Sequence, residues 1–142
     1  TSEHFERPKY GSINITKSLS GVTSCRAYGS SYMVLNDSLK KRASFIHGDS
    51  FKNELHIITF DYPLPILNYL KLNELSSVIE VATGRKEYNV SLSEYLEVQI
   101  HGPLRYRQDV DELKICGYAN SGVCKQQLDI FCEKYNCEYS FF

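Results

Sequence analysis

With 142 residues, 42% of them apolar and 23% charged, and a net charge of -1, the chain is long enough for one domain with a hydrophobic core and has an ordinary globular composition. That balance excludes a partner held by bulk charge. Nucleic acid would need a local basic patch, and the short run Lys40-Lys41-Arg42 reads as a solvated turn. No apolar run approaches the roughly 20 residues of a membrane-spanning helix, and nothing reads as a signal peptide.

The chain begins without Met and enters patterned sequence almost at once, so an upstream segment is expected. Tyr10 to Thr16, "YGSINIT", alternates as a strand with Ile13 and Ile15 on its apolar side. A Ser/Gly-rich loop runs through Gly21. Ser31 to Asn36 is a second strand, and Asn36-Asp37-Ser38 supplies cap chemistry for one short helical turn. Arg42 to His47 is a third strand, closed by the breaker Gly48-Asp49-Ser50. Phe51 to Pro63 reads as a loop.

Pro65 to Ala82 has helical spacing in Ile66, Leu67, Leu70, Leu75, Val78, Ile79 and Ala82, with proline in the first turn and Gly84 as the stop. Asp109 to Ile115 reads as a short helix with an acidic start. Val123 to Tyr135 is another helix, and the closing "CEYSFF" is an aromatic edge strand. Strands outnumber helices without a regular βαβ alternation, which predicts an α+β fold. Five cysteines, with no CxxC pair, indicate reduced thiols in a cytosolic compartment. Cys124 and Cys132, eight residues apart, share a helical face and are expected in the core.

The stretch "YLEVQIHGP", Tyr95 to Pro103, carries the most chemistry. Successive strand side chains point to opposite faces, so Leu96, Val98 and Ile100 anchor one face while Glu97, Gln99 and His101 project from the other. A solvated outer face would ordinarily carry Lys, Thr and Arg rather than a carboxylate beside an amide and an imidazole. Gly102-Pro103 gives this strand the rigid end at which sheets often hold sites.

"YLEVQIHGPL" resembles the E-x-Q-[I/V]-H-G signature of a bacterial family of uncharacterised domains with an ADP-ribosyltransferase-like fold. "RPKYGSI" is similar to that family's Arg-x-x-Tyr-Gly segment. "YGSSYMVLNDSLKKRASFIHGDS" resembles its strand-turn-strand ending in R-[A/T]-[S/T]-F-x-x-G-D-S, and "DVDELKICG" with the final helix and strand fits the order downstream. The likeness covers most of the chain from Arg7 onward. It implies an α+β domain with a split mixed β-sheet core and flanking helices. It also implies mono-ADP-ribosyltransferase activity that uses NAD as substrate, releases nicotinamide and modifies an acceptor, with a protein as the expected partner. The setting would be cytoplasmic, in the bacterium or in a host cell that receives a secreted effector.

By analogy with the three-part signature of those enzymes, Arg7 is the first element, Ser44 the second and Glu97 the third. Breaking the nicotinamide–ribose bond builds positive charge on the sugar, which a carboxylate near the anomeric carbon stabilises. An Arg fork can hold the pyrophosphate, and a Ser hydroxyl can orient the glutamate. The toxin pattern Glu-x-Glu or Gln-x-Glu puts the catalytic residue last, where this chain has Gln99. Either Glu97 is the catalytic carboxylate, or Gln99 holds its place and the domain is an inactive NAD- or partner-binding module.

Tyr10, Asp49, Ser50, Gln99 and His101 complete the expected NAD-binding set, with Tyr28 and Tyr32 as further stacking candidates. No metal is expected, because His4, His47, His56 and His101 lack zinc spacing with any cysteine. Nor is there a GxGxxG or GxxxxGK[ST] phosphate loop, so any NAD site lies outside a Rossmann framework.

Overall fold

The computed structural model describes residues 3, 6–15, 17–51, 57–85, 92–117 and 122–142. Its strands form two sheets, and the fold is mixed α+β. The four-stranded sheet is antiparallel, in the order β1 (Lys9–Ser12), β5 (Leu96–Ile100), β3 (Ala43–His47), β4 (Ile58–Thr59). The three-stranded sheet runs β2 (Tyr32–Leu35), β6 (Val110–Ile115), β7 (Glu138–Phe141); β2 is antiparallel to β6, and β7 is parallel to it and lies at the edge. Among the described residues no helix is long and apolar enough to cross a membrane.

The alternation in β5 and β3 sets the core of the larger sheet. Phe45 faces Val98 and Ile58, and Ala43 faces Ile100. Phe45, Ile46, Ile58, Leu96 and Ile100 are each 3% exposed, and burying each such side chain is worth about 1.5–3 kcal/mol. The β1 strand is shorter than the alternation predicts. It ends at Ser12 with one further bond, Ile13 N–H to the Leu96 carbonyl (3.0 Å), and Thr16 lies outside the described residues. In the smaller sheet, α3 (Gly122–Tyr135) packs Leu128, Phe131, Cys132 and Tyr135 onto Val110, Leu113 and Cys137. Cys132 is buried as expected, but Cys124 is only half-buried and lines an open groove with Leu113, Gln127, Leu128 and Phe131.

Several expectations are corrected. Asp109 to Ile115 is not a helix: a single turn, α2 (Tyr106–Asp109), ends at the acidic residue, and β6 begins at Val110. Three apolar residues in six fit either period, and pairing with β2 and β7 on both sides decides for the strand. The Pro65–Ala82 helix is two elements, a 3-10 turn at Leu64–Tyr69 and α1 (Leu72–Ala82), separated by extended backbone at Leu70 and Lys71. Buried Glu74 fixes the break, because its carboxylate accepts the Lys71 N–H (2.8 Å) at the start of α1 and the Ser93 N–H (2.5 Å) on the approach to β5. Gly84, at φ +70°, ends α1 as predicted, and the Arg85 N–H closes back on the Glu80 carbonyl (2.8 Å).

The Phe51–Pro63 loop contains β4, although residues 52–56 lie outside the described set. Thr23–Tyr28 forms a 3-10 turn that the sequence did not announce. Asn36 caps the next turn as expected, its side chain accepting the Ser38 N–H (2.9 Å). Lys40 does sit in a solvated pair with Asp37 (2.8 Å), but Arg42 is no solvated residue. Its guanidinium meets buried Asp109 (3.1 Å) and donates to the His101 carbonyl (2.7 Å), tying the end of β5 to the start of β6.

Candidate functional site

β5 has a neighbour on each side, so its polar row lies in the middle of the larger sheet. Cross-strand register puts Ser44 (β3), Gln99 (β5) and Tyr10 (β1) in one line across the strands, and Glu97 between Ile46 and Ser12. Residues directly opposite in a sheet share a face. The row expected from alternation is therefore joined by Ser44 and Tyr10. Tyr10 is 65% exposed, at the rim.

The row is knit together by two side-chain contacts. The Gln99 amide donates to Glu97 Oε1 (3.3 Å), and Ser44 Oγ meets His101 Nε2 (2.9 Å). Ser44 and Glu97 are 5% and 6% exposed, whereas the His101 ring reaches solvent. The backbone of His101 is held from both sides by Arg42, whose carbonyl accepts its N–H (2.9 Å) while the guanidinium grips its carbonyl. An imidazole fixed in this way is preorganised rather than a passing surface histidine.

Beyond β3 the chain curls over the Glu97 end of the row. Gly48, at φ +81°, makes the turn, and its N–H bonds the Tyr95 carbonyl (2.8 Å). The Ser50 N–H then points to Glu97 Oε2 (3.4 Å). Asp49 Oδ1 accepts the Phe51 N–H (2.9 Å), a local turn bond. Burial raises the Tyr95 phenol well above its ordinary range, helped by a hydrogen bond with Tyr28 and by the negative charges of Asp49 and Glu97. Tyr95 thus extends the row two residues back from Glu97, with Tyr28 beside it. Alternation could have found Tyr95, because it has the same parity as Glu97.

Glu97 combines burial with weak pairing. Its two hydrogen bonds are long and come from neutral donors, and among the described residues no Lys or Arg pairs with it. A buried carboxylate without a cation is costly to keep in a fold. Arg7 is exposed and stands two residues before β1, at the end where Lys9 faces Ile100. Glu97 faces Ser12, five residues further along, or roughly 16 Å at strand rise. No described contact joins the Arg7 guanidinium to the row; its carbonyl accepts Lys9 Nζ (2.7 Å). Tyr32 is also apart, its hydroxyl bonded to the Leu19 carbonyl (2.9 Å) beside the smaller sheet. His47 lies on the opposite face, stacked on Tyr69 at 6.0 Å. Among the described residues no cluster of His, Cys, Asp and Glu could hold a metal ion.

Neither a scan against protein-family models nor a search of curated proteins returns a match for the chain.

Proposed function

We propose that the domain is a mono-ADP-ribosyltransferase that takes NAD as substrate, releases nicotinamide and passes ADP-ribose to a protein acceptor. The observation that carries this reading is the buried Glu97 carboxylate, free of any described cation, in a preformed row with Gln99, Ser44 and His101. The nicotinamide ring of NAD is a cation, and as its bond to ribose breaks the positive charge moves onto the sugar. A carboxylate already desolvated and unpaired acts strongly on charge that appears beside it. A neutral amide at Gln99 cannot do the same, so Glu97 takes the catalytic place and Gln99 orients it.

On this reading Ser44 and His101 line the path of the ribose and acceptor, and Tyr10 and the loop at Asp49 and Ser50 flank the bound dinucleotide. Arg7, set before the start of β1 and away from Glu97, suits the central pyrophosphate of an extended NAD rather than an ion pair with the glutamate. The two sheets would be the halves of an ADP-ribosyltransferase-like split core. The adjacency of β1, β5 and β3 supports that view, because the segments "RPKYGSI", "RASFIHGDS" and "YLEVQIHGPL", which carry the three-part signature, lie on or beside those strands.

The hydrogen bond from Gln99 to Glu97 also suits a binding module that keeps the row without turnover. Incubation with NAD and candidate acceptor proteins separates the readings, with nicotinamide release and acceptor mass as readouts and calorimetry for binding. Nicotinamide release with an acceptor heavier by one ADP-ribose supports the transferase. Binding without release favours the NAD-binding module, and absence of NAD binding removes the transferase and leaves a partner-binding module.

A further inference from the structure

Outside the polar row, two thiols touch in the core of the smaller sheet. α3 ends in a left-handed residue, Asn136 at φ +52°, and the Cys137 N–H closes back on the Cys132 carbonyl (3.2 Å). That is the Schellman cap, in which the side chains three residues before and just beyond the helix end pack together. Here both are cysteines, and their sulfurs lie 3.5 Å apart, buried. The contact that usually seals a helix end with two apolar groups is made by a pair able to bond covalently.

We infer that Cys132 and Cys137 form a reversible disulfide that staples the end of α3 to the start of β7. The cap already fixes the backbone of both residues, so closing the sulfurs from contact to the roughly 2.05 Å of an S–S bond requires side-chain rotation rather than refolding. The oxidant is a peroxide: one thiolate attacks a peroxide oxygen to give a sulfenic acid and water, and the second thiol displaces the second water as the S–S bond forms. Two thiols lose two electrons and two protons, and one hydrogen peroxide becomes two waters. A dithiol reductant reverses the step.

The staple would act where the edge is weakest. β7 pairs with β6 from Glu138 onward, directly after Cys137, and among the described residues has no strand on its other side. Burial, and then Cys137, push the Cys132 thiol up to about 11, so oxidation is slow at neutral pH, and half-buried Cys25, Cys116 and Cys124 meet external reagents first. The inference is independent of the NAD reading.

The sequence gives a clean assay, because Lys125 and Lys134 place Cys124, Cys132 and Cys137 in three separate tryptic peptides. The folded protein is treated with hydrogen peroxide, remaining thiols are blocked with N-ethylmaleimide in denaturant, and the digest is read by mass spectrometry. The expected product joins the peptide Gln126–Lys134 to the one beginning at Tyr135, two hydrogens lighter than their sum. It should vanish with dithiothreitol and be missing from Cys132→Ser. Recovery of both peptides separately blocked or over-oxidised, or linkage of Cys132 chiefly to Cys124, overturns the inference.

Discussion

Glu97 and Glu112 occupy matching places, each on a strand flanked by two others in its own sheet. Their surroundings differ in kind. Glu112 Oε1 accepts from Lys114 Nζ (2.7 Å) and Ser140 Oγ (2.6 Å), and Lys114 also reaches Ser140 (2.9 Å), so the group is closed on itself. The side-chain hydrogen bond from Lys114, then that from Ser140, hold the Glu112 carboxyl below its usual range. Glu97 has an amide two residues on where Glu112 has an ammonium, and it is the more buried of the two. One carboxylate is spent on the fold, and the other is left available for charge arriving from outside.

That contrast orders the expected effects on stability, read as urea midpoints at unchanged slope. Glu74→Ala should cost most, about 2–3 kcal/mol, since it strands the Lys71 and Ser93 N–H groups and loosens the approach to β5. Burial is the largest influence on the Glu74 carboxyl and pushes it up, but the Ser93 and Lys71 N–H groups outweigh it and the net shift is downward. Its contribution is therefore complete above the ordinary value of 4.5 and is lost as pH falls through the lower folded value. The gap between wild type and variant should close in acid.

Arg42→Ala follows at about 1–3 kcal/mol, because it leaves Asp109 buried without its cation and frees the His101 carbonyl. Urea titration in parallel with Arg42→Lys, which keeps the charge but not the fork, should place the lysine variant between the two. Glu112→Gln should cost less than about 1 kcal/mol, as for a partly solvated pair. By the same sign its cost should shrink as pH drops below 4.5 and again at high salt. Glu97→Gln should have the smallest effect, within about 0.5 kcal/mol of wild type or slightly stabilising, since it removes a buried charge that no described cation pairs with and keeps an acceptor for Ser50. A large loss there would mean that Glu97, too, serves the fold.

Much of the candidate row was legible because strand alternation is a strict geometric rule. Glu97, Gln99 and His101 do share a face, Asn36 and Gly84 follow the local chemistry of caps and stops, and α3 falls where the sequence predicts a helix from Val123 to Tyr135. What the sequence concealed depends on partners distant in the chain. Val110–Ile115 is a strand because β2 and β7 enclose it, and the Pro65–Ala82 periodicity breaks because Glu74 bonds Ser93, nineteen residues on. Arg42 looked solvated because Asp109 and His101 reach it only in the fold. The distance of Arg7 from Glu97 follows from strand register, which spacing in the sequence cannot supply.

The central claim meets its most direct test in nicotinamide release from NAD by wild type, Glu97→Gln and Glu112→Gln, measured side by side on folded protein. The account predicts a fall of about 10²–10³-fold for Glu97→Gln, the scale of losing one preorganised electrostatic group, with Glu112→Gln close to wild type. Equal release by wild type and Glu97→Gln would contradict it.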